Sequence, residues 1–289
     1  MTVTNSLAKK ATQTELKNIP FQQIIKSTSV QENIMSTLGD ATRTKRFTAS
    51  LISAVSTNPA LQECSGVSTI SAALLGESLN LSPSPQLGHY YMVPFKDGNN
   101  SVKKATFVLG FKGYIQLAIR SGQYKRLNVV AVKEGELIKF DPFNEEIDVR
   151  PIEDPDAREK AQTIGYYAMF ELVNGFKKSI YWSKAKMVAH AEKYSMGYKA
   201  HKGYTFWEKD FDGMAYKTML RQLISKWGIM SIDMQNAYAN DMAYKDTLND
   251  EEAPKYVEAE EAETVQTFDA ETGEVEKEAP AANESESLI

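Results

Sequence analysis

Residues 89–127 read HYYMVPFKDGNNSVKKATFVLGFKGYIQLAIRSGQYKRL. HYYMVPF (89–95) and KATFVLG (104–110) are short apolar runs of strand character, and KDGNNSVK between them carries Asp-Gly and Asn-Asn, a turn signal. A helix over about 113–121 follows at once, and strand-like segments resume at 127–140. Strands that lead into one helix and back into strands, without regular βαβ alternation, point to an α+β chain.

Upstream, apolar residues recur at helical spacing from Phe21 to Val55: Ile24 and Ile25, then Ile34, Met35 and Leu38, then Phe47, Leu51, Ile52 and Val55. Breaks are expected near 27–29 and 38–39, with a stop before Asn58-Pro59. A further helix, Ser68 to Leu79, has Ser68 as its expected N-cap. Downstream, strands are expected at 146–151, 164–173 and 176–182, the last two joined by VNGF, a hairpin signal. PIEDPDAREKA reads as an exposed loop. Helices follow at 183–192, 206–227 and 232–244. The expected architecture is an antiparallel sheet with a central helix, flanked by N- and C-terminal helices.

The 289 residues carry a formal net charge of −5, but the charge is segregated. Residues 246–289 hold 15 Asp or Glu against Lys255 and Lys277, net −13; residues 1–245 hold 31 Lys or Arg against 23 Asp or Glu, net +8. A basic body suits a polyanion, and an acidic tail competes with that polyanion or recruits a partner. The expected division is a flexible arm at 1–20, a core at 21–245 and a disordered acidic tail at 246–289, the tail having few large apolar residues. Within it, TFDAETGEV reads either as a short recruitment motif or as part of a solvated tail.

No apolar run approaches the roughly 20 residues needed to span a bilayer, and MTVTNSLAKKATQTELKN lacks the apolar core of a signal peptide. A cytoplasmic location is expected. The lone Cys64 forms no intrachain disulfide, which suits a reducing compartment.

Several chemistries have little to stand on. A Walker A loop needs Gly-Lys so that the lysine reaches nucleotide phosphates, and the chain contains no Gly-Lys. The one Glu-x-Lys of metal-dependent nuclease type, Glu15-Leu16-Lys17, falls in the expected arm. His89, His190 and His201 are far apart and lack a cysteine cluster, so no zinc site is indicated. With no recognisable nucleophile and base, no enzymatic activity and no cofactor are expected.

Nucleic-acid binding is better supported. From Lys96 to Arg126 there are seven cations, including Lys112, Arg120, Lys125 and Arg126, against Asp97 alone. Such groups neutralise phosphates and release counterions, giving salt-sensitive, sequence-independent affinity. Lys112, Gln116 and Arg120 stand four apart on the helix, with Ile115, Ala118 and Ile119 towards the packed side. Gly110 can end a strand and Gly122 can cap the helix. Gly110-Phe-Lys-Gly113 fits the GxxG of KH domains, but that loop joins two helices and this one follows a strand.

A second cluster, 199–226, holds Lys199, Lys202, Lys209, Lys217, Arg221 and Lys226. Leu220, Leu223, Ile224 and Trp227 form a core stripe, which places Lys217 and Arg221 beside it facing outward. Trp207 and Phe211 read as core or subunit contacts rather than base-stacking platforms.

Three blocks resemble the RecT family: AALLGESLNLSPSPQLGHYYMVPF, LGFKGYIQLAIRSGQY and WEKDFDGMAYKTMLRQL. The resemblance runs in order over about residues 20–240. Asn80 stands where glycine is usual before Leu81, which bears only on the local turn. The resemblance implies a phage- or prophage-type, ATP-independent single-strand annealing protein, related in fold to lambda Red beta and to eukaryotic annealing mediators. Such proteins form rings or helical filaments, hold single-stranded DNA in a basic groove and present it to a complementary strand, giving an annealed duplex intermediate. A phage exonuclease and a host single-strand binding protein are the implied partners. The groove role is assigned to Lys112, Arg120, Arg126, Lys209, Lys217 and Arg221, with Tyr114 and Gln116 beside them. The alternative is a passive single-stranded DNA coating protein that leaves annealing unassisted.

Overall fold

The computed structural model describes residues 19–96, 102–144, 146–203, 205–245, 248 and 255–256. The turn at 97–101, the arm at 1–18 and nearly all of the 246–289 tail lie outside the described residues. Five helices open the fold: α1 Phe21–Ile24, α2 Thr28–Leu38, α3 Ala41–Ser56, α4 Pro59–Gln62 and α5 Gly66–Ser78. Their punctuation follows the local chemistry. Gly39, at φ +68°, ends α2 in the left-handed region, and the Asp40 carboxylate caps α3 by accepting from the Arg43 N–H at 2.6 Å. Asn58 caps α4, with Pro59 at its first position. The expected cap of α5, Ser68, sits instead inside its first turn, and Ser65 takes the N-cap position. The buried Ser68 hydroxyl donates to the Ser65 carbonyl and accepts from the Ala105 N–H, both at 2.9 Å. It therefore ties the helix to a strand.

That strand is β2 (Lys104–Leu109), paired antiparallel with β1 (Tyr90–Phe95). Next come α6 Phe111–Ser121, β3 Tyr124–Lys133, β4 Leu137–Asp141, β5 Glu146–Val149, α7 Pro155–Lys160, β6 Thr163–Leu172 and β7 Lys177–Ser183. The chain continues as α8 Lys184–Tyr194, α9 Met196–Lys199, α10 Phe206–Lys209, α11 Phe211–Trp227, α12 Ile232–Asn240, β8 Ala243–Tyr244 and β9 Lys255–Tyr256. The α+β class holds, but the strands divide among three antiparallel sheets, in the orders β1-β2-β8-β9, β3-β6-β7 and β4-β5.

The helix expected at 206–227 divides at Asp210, which caps α11, and the one expected at 232–244 ends at Asn240 before β8. Two further elements are redrawn. The strand at 127–140 breaks at a turn where Gly135 has φ +88°, giving β3 and β4. The loop expected at 151–161 contains α7, capped by Asp154 with Pro155 in its first turn. Both changes centre on Glu136, 4% exposed, which accepts from the backbone N–H groups of Lys133 (2.8 Å) and Ile152 (3.3 Å) and from Arg158 Nε (2.6 Å).

Two large apolar clusters form most of the core, with a small third one of Val93 and Val108 beside Tyr91, Phe206 and Met242. One joins α1–α5 to β1, β2 and α6; the other packs the inner face of β3 and β6, through Ala131, Tyr166, Ala168 and Phe170, against α11. Helix α11 belongs to both, contributing Leu220 and Ile224 to the first and Met219 and Leu223 to the second. Trp207 lies in the second cluster with its ring centroid 5.1 Å from that of Phe211, so both aromatics are core contacts.

Candidate nucleic-acid interface

Helix α6 is seated by its glycines. A Cβ on Gly110 would collide with the Gly88 carbonyl oxygen, and one on Gly113 with the His89 carbonyl oxygen, so the helix start packs directly on the 88–89 backbone. The Gly110 N–H donates to the His89 carbonyl at 2.9 Å. Gly122 ends the helix at φ +68°, as expected of a left-handed cap. The buried face is Gly113, Tyr114, Leu117 and Ala118. Ile119, expected on the packed side, is instead 61% exposed, and Ile115 and Gln116 are half-buried.

The anticipated basic residues fall into separate environments. Arg120 donates to the carbonyls of Leu79 (2.8 Å) and Asn80 (3.2 Å), satisfying the C-terminal end of α5 with a cation. The Lys112 stem passes close to Gly88. Burial, with the charges of Arg120 and Lys112 beside it, pushes the His89 imidazole below its ordinary value and favours its neutral form. Lys209 ends the short helix α10 and is half-buried.

Lys217 and Arg221 do not face outward side by side. Because α11 is covered on two sides, Lys217 is 8% exposed and directs its ammonium to Asp241 Oδ1 at 3.0 Å. Asp241 also accepts from Arg221 and from the Leu109 N–H at 2.9 Å. Burial pushes the Lys217 ammonium down from its ordinary value, and Asp241 opposes that shift. Tyr114, 2% exposed, has its hydroxyl 3.5 Å from Arg221, whose guanidinium lies 4.2 Å from the Tyr238 ring centroid. This constellation links α6, α11, β2 and the segment after α12 inside the molecule.

Arg126 opens onto a different feature. Between α6 and β3 lies an open groove of about 530 Å³ lined by Ile115, Ile119, Tyr124, Lys125, Arg126, Leu127, Asn128 and Met169. Strand alternation builds one of its walls: Leu127, Val129 and Ala131 point into the core, while Arg126 and Asn128 occupy the opposite face. On that face Arg126, Glu171 and Lys177 stand in one row across β3, β6 and β7, and Asn128, Met169 and Ser179 form the next. The Glu171 carboxylate lies 2.7 Å from Lys125 Nζ, 3.7 Å from Lys177 Nζ and 3.9 Å from Arg126 Nε. The hydrogen bond from Lys125, with the charges of Lys177 and Arg126, holds the Glu171 carboxyl below its ordinary value. One carboxylate thus gathers three largely exposed cations, leaving a local excess of two positive charges beside an apolar floor.

Sequence alone places Lys125 in the basic block without a site role and singles out neither Lys177 nor Glu171. Their signal was the β6–β7 hairpin. Leu172 donates to the Phe176 carbonyl at 2.8 Å across a three-residue loop in which Gly175 has φ +88°. That register, rather than a two-residue Asn-Gly turn, sets Glu171 opposite Lys177.

These features define a class, an α+β protein with a basic body and a cation-rimmed groove beside one helix. The RecT family model matches residues 45–263, and the chain belongs to the RecT family. It is 38% identical to the protein YqaK of Bacillus subtilis strain 168 over 291 residues, covering 98% of this chain and 93% of that protein. It is 29% identical to Protein RecT of Escherichia coli K12 over 228 residues, covering 78% and 81% of the two chains. Among the described residues no group of three His, Cys, Asp or Glu could hold a metal ion, and no helix is long and apolar enough to cross a membrane.

Proposed function

We propose that this protein is an ATP-independent single-strand annealing protein of homologous recombination, which binds single-stranded DNA as a homo-oligomer and promotes its pairing with a complementary strand. Family membership supports the annealing role, and the observation that carries the binding mode is the α6–β3 groove. Lys125, Arg126 and Lys177 meet phosphates, while Ile115, Ile119 and Met169 offer apolar surface to sugars and bases. This division suits a strand whose sequence is read by its complement. Lys112, Arg120 and Lys209 extend the cationic surface as backbone contacts, with Gln116 on the same helix. Lys217, Arg221 and Tyr114 act beneath it, by holding α6 and α11 in register through Asp241. A phage-type exonuclease that generates single strands and a host single-strand binding protein are the partners this role calls for.

Mixing complementary oligonucleotides with the protein in the absence of nucleotide tests this reading. Duplex formation is expected to accelerate with protein concentration, with both strands retained in a protein complex. Binding without acceleration would identify a passive coating protein instead.

A further inference from the structure

The β4–β5 hairpin is a two-stranded sheet that is not hydrogen-bonded to the other two. An isolated hairpin is marginal in water, so its order has to come from its base and its tip. At the base, Arg158 holds Glu136 and the Arg150 N–H donates to the Glu136 carbonyl at 2.8 Å, while next to the tip the Phe140 ring meets that of Tyr181 on β7 at 5.1 Å. At the tip, Asp141 accepts from the backbone N–H groups of Phe143 (2.9 Å) and Asn144 (3.3 Å), and the Asn144 amide donates to its second oxygen at 2.9 Å. The fixed turn presents Phe143 at 94% exposure, with Ile138 at 60% below it. An aromatic side chain so fully in water, on a scaffold that holds it there, marks a contact surface.

Charge selects the occupant. Residues 137–149 carry Lys139 against Asp141, Glu145, Glu146 and Asp148, a net of −3. DNA and the chain's own −13 tail are repelled by such a segment, whereas the +8 body of another copy attracts it. That body also offers a mainly apolar recess between β1–β2 and the start of α11, lined by Tyr91, Val108, Phe206 and Met214 together with Asp210 and Lys217.

We infer that the β4–β5 hairpin is an assembly arm that seats Phe143 on the basic body of a second copy of this chain. The contact inferred is head to tail, each arm entering the recess of the next copy, and such a contact adds copies beyond a dimer. The inference deepens the proposed homo-oligomer and rests on that reading.

The test compares full-length wild type, Phe143→Ala, Phe143→Asp and Asp148→Lys by sedimentation velocity over a concentration series, alongside binding to an oligonucleotide too short for two protomers. Wild type is expected to grow beyond dimer as concentration rises. Phe143→Ala and Asp148→Lys should each raise the concentration for half-assembly at least tenfold, and Phe143→Asp should stay monomeric. Short-oligonucleotide affinity should remain within twofold for both Phe143 variants. A wild type that stays monomeric or stops at dimer, variants that assemble like wild type, or Phe143 variants that lose short-oligonucleotide affinity while assembling normally would each overturn the inference. Annealing is scored separately. Assembly through the hairpin without annealing would refute the proposed function alone, and annealing by a hairpin-independent assembly would refute this inference alone.

Discussion

Lys217 Nζ lies 3.0 Å from Asp241 Oδ1, inside the protein, and the same carboxylate receives Arg221 and the Leu109 N–H. One acidic side chain thereby joins two cations of α11 to strand β2. Removing a single partner from a buried ionic group leaves the others desolvated and unpaired. Asp241→Ala is accordingly expected to destabilise the fold by about 3–5 kcal/mol, read as a lower urea midpoint. A variant as stable as wild type would show that the constellation is not structural.

The seating of α6 makes a sharper demand. Gly113→Ala drives a methyl into the His89 carbonyl oxygen, and the helix start must shift. A loss of about 1–3 kcal/mol is expected from thermal or denaturant unfolding, as for other overpacked sites. Gly122→Ala meets no steric neighbour, and its cost should come from φ alone.

Asn80 occupies φ +53°, in the left-handed region that glycine favours and asparagine tolerates. Glycine would suit this backbone conformation equally. Asn80→Gly should change stability by less than about 0.5 kcal/mol, and Asn80→Ala should lower it by roughly 1 kcal/mol. A strong loss in the glycine variant would show that the Asn80 side chain, rather than its backbone conformation, matters.

Acid should weaken the hairpin base. Burial alone would raise the Glu136 carboxyl, but hydrogen bonds from Arg158 and from the Lys133 and Ile152 N–H groups hold it below its ordinary 4.5. A carboxyl depressed in the folded state contributes stability above its unfolded value and loses it as pH falls through the folded value. Unfolding free energy should therefore fall with pH below about 4.5, and Glu136→Gln should show a shallower slope there. An unchanged slope would remove Glu136 as the cause.

Much of this fold was legible from local chemistry. Gly39, Asn58-Pro59 and Gly122 end or start helices where their backbone preferences require, and the apolar runs of β1, β2, β6 and β7 fall close to their expected places. The misreadings share a physical cause. Ser68 resembles an N-cap locally, yet its hydroxyl is committed to a strand residue 37 positions away. Lys217 lies beside an apolar stripe, and its burial follows only because α11 packs on two clusters and Asp241 arrives from after α12. Helix α7 hid in a polar segment because its anchor, Arg158 on Glu136, crosses 22 residues. The candidate groove was half-visible. Its helix and Arg126 stood in one basic block, whereas the Glu171 hub required the β3–β6–β7 register.

The groove is tested most directly by the salt dependence of single-stranded DNA binding, wild type against the triple variant Lys125→Ala, Arg126→Ala and Lys177→Ala. Each phosphate contact on a single strand contributes about 0.7 to the slope of log K against log salt concentration. The triple variant is expected to lower that slope by about 2 and to weaken binding at low salt; because it also strips the buried Glu171 carboxylate of its three cations, its unfolding midpoint should fall, and the slopes are compared at a temperature where both proteins are folded. A slope and affinity equal to those of wild type would contradict the assignment of this groove to DNA.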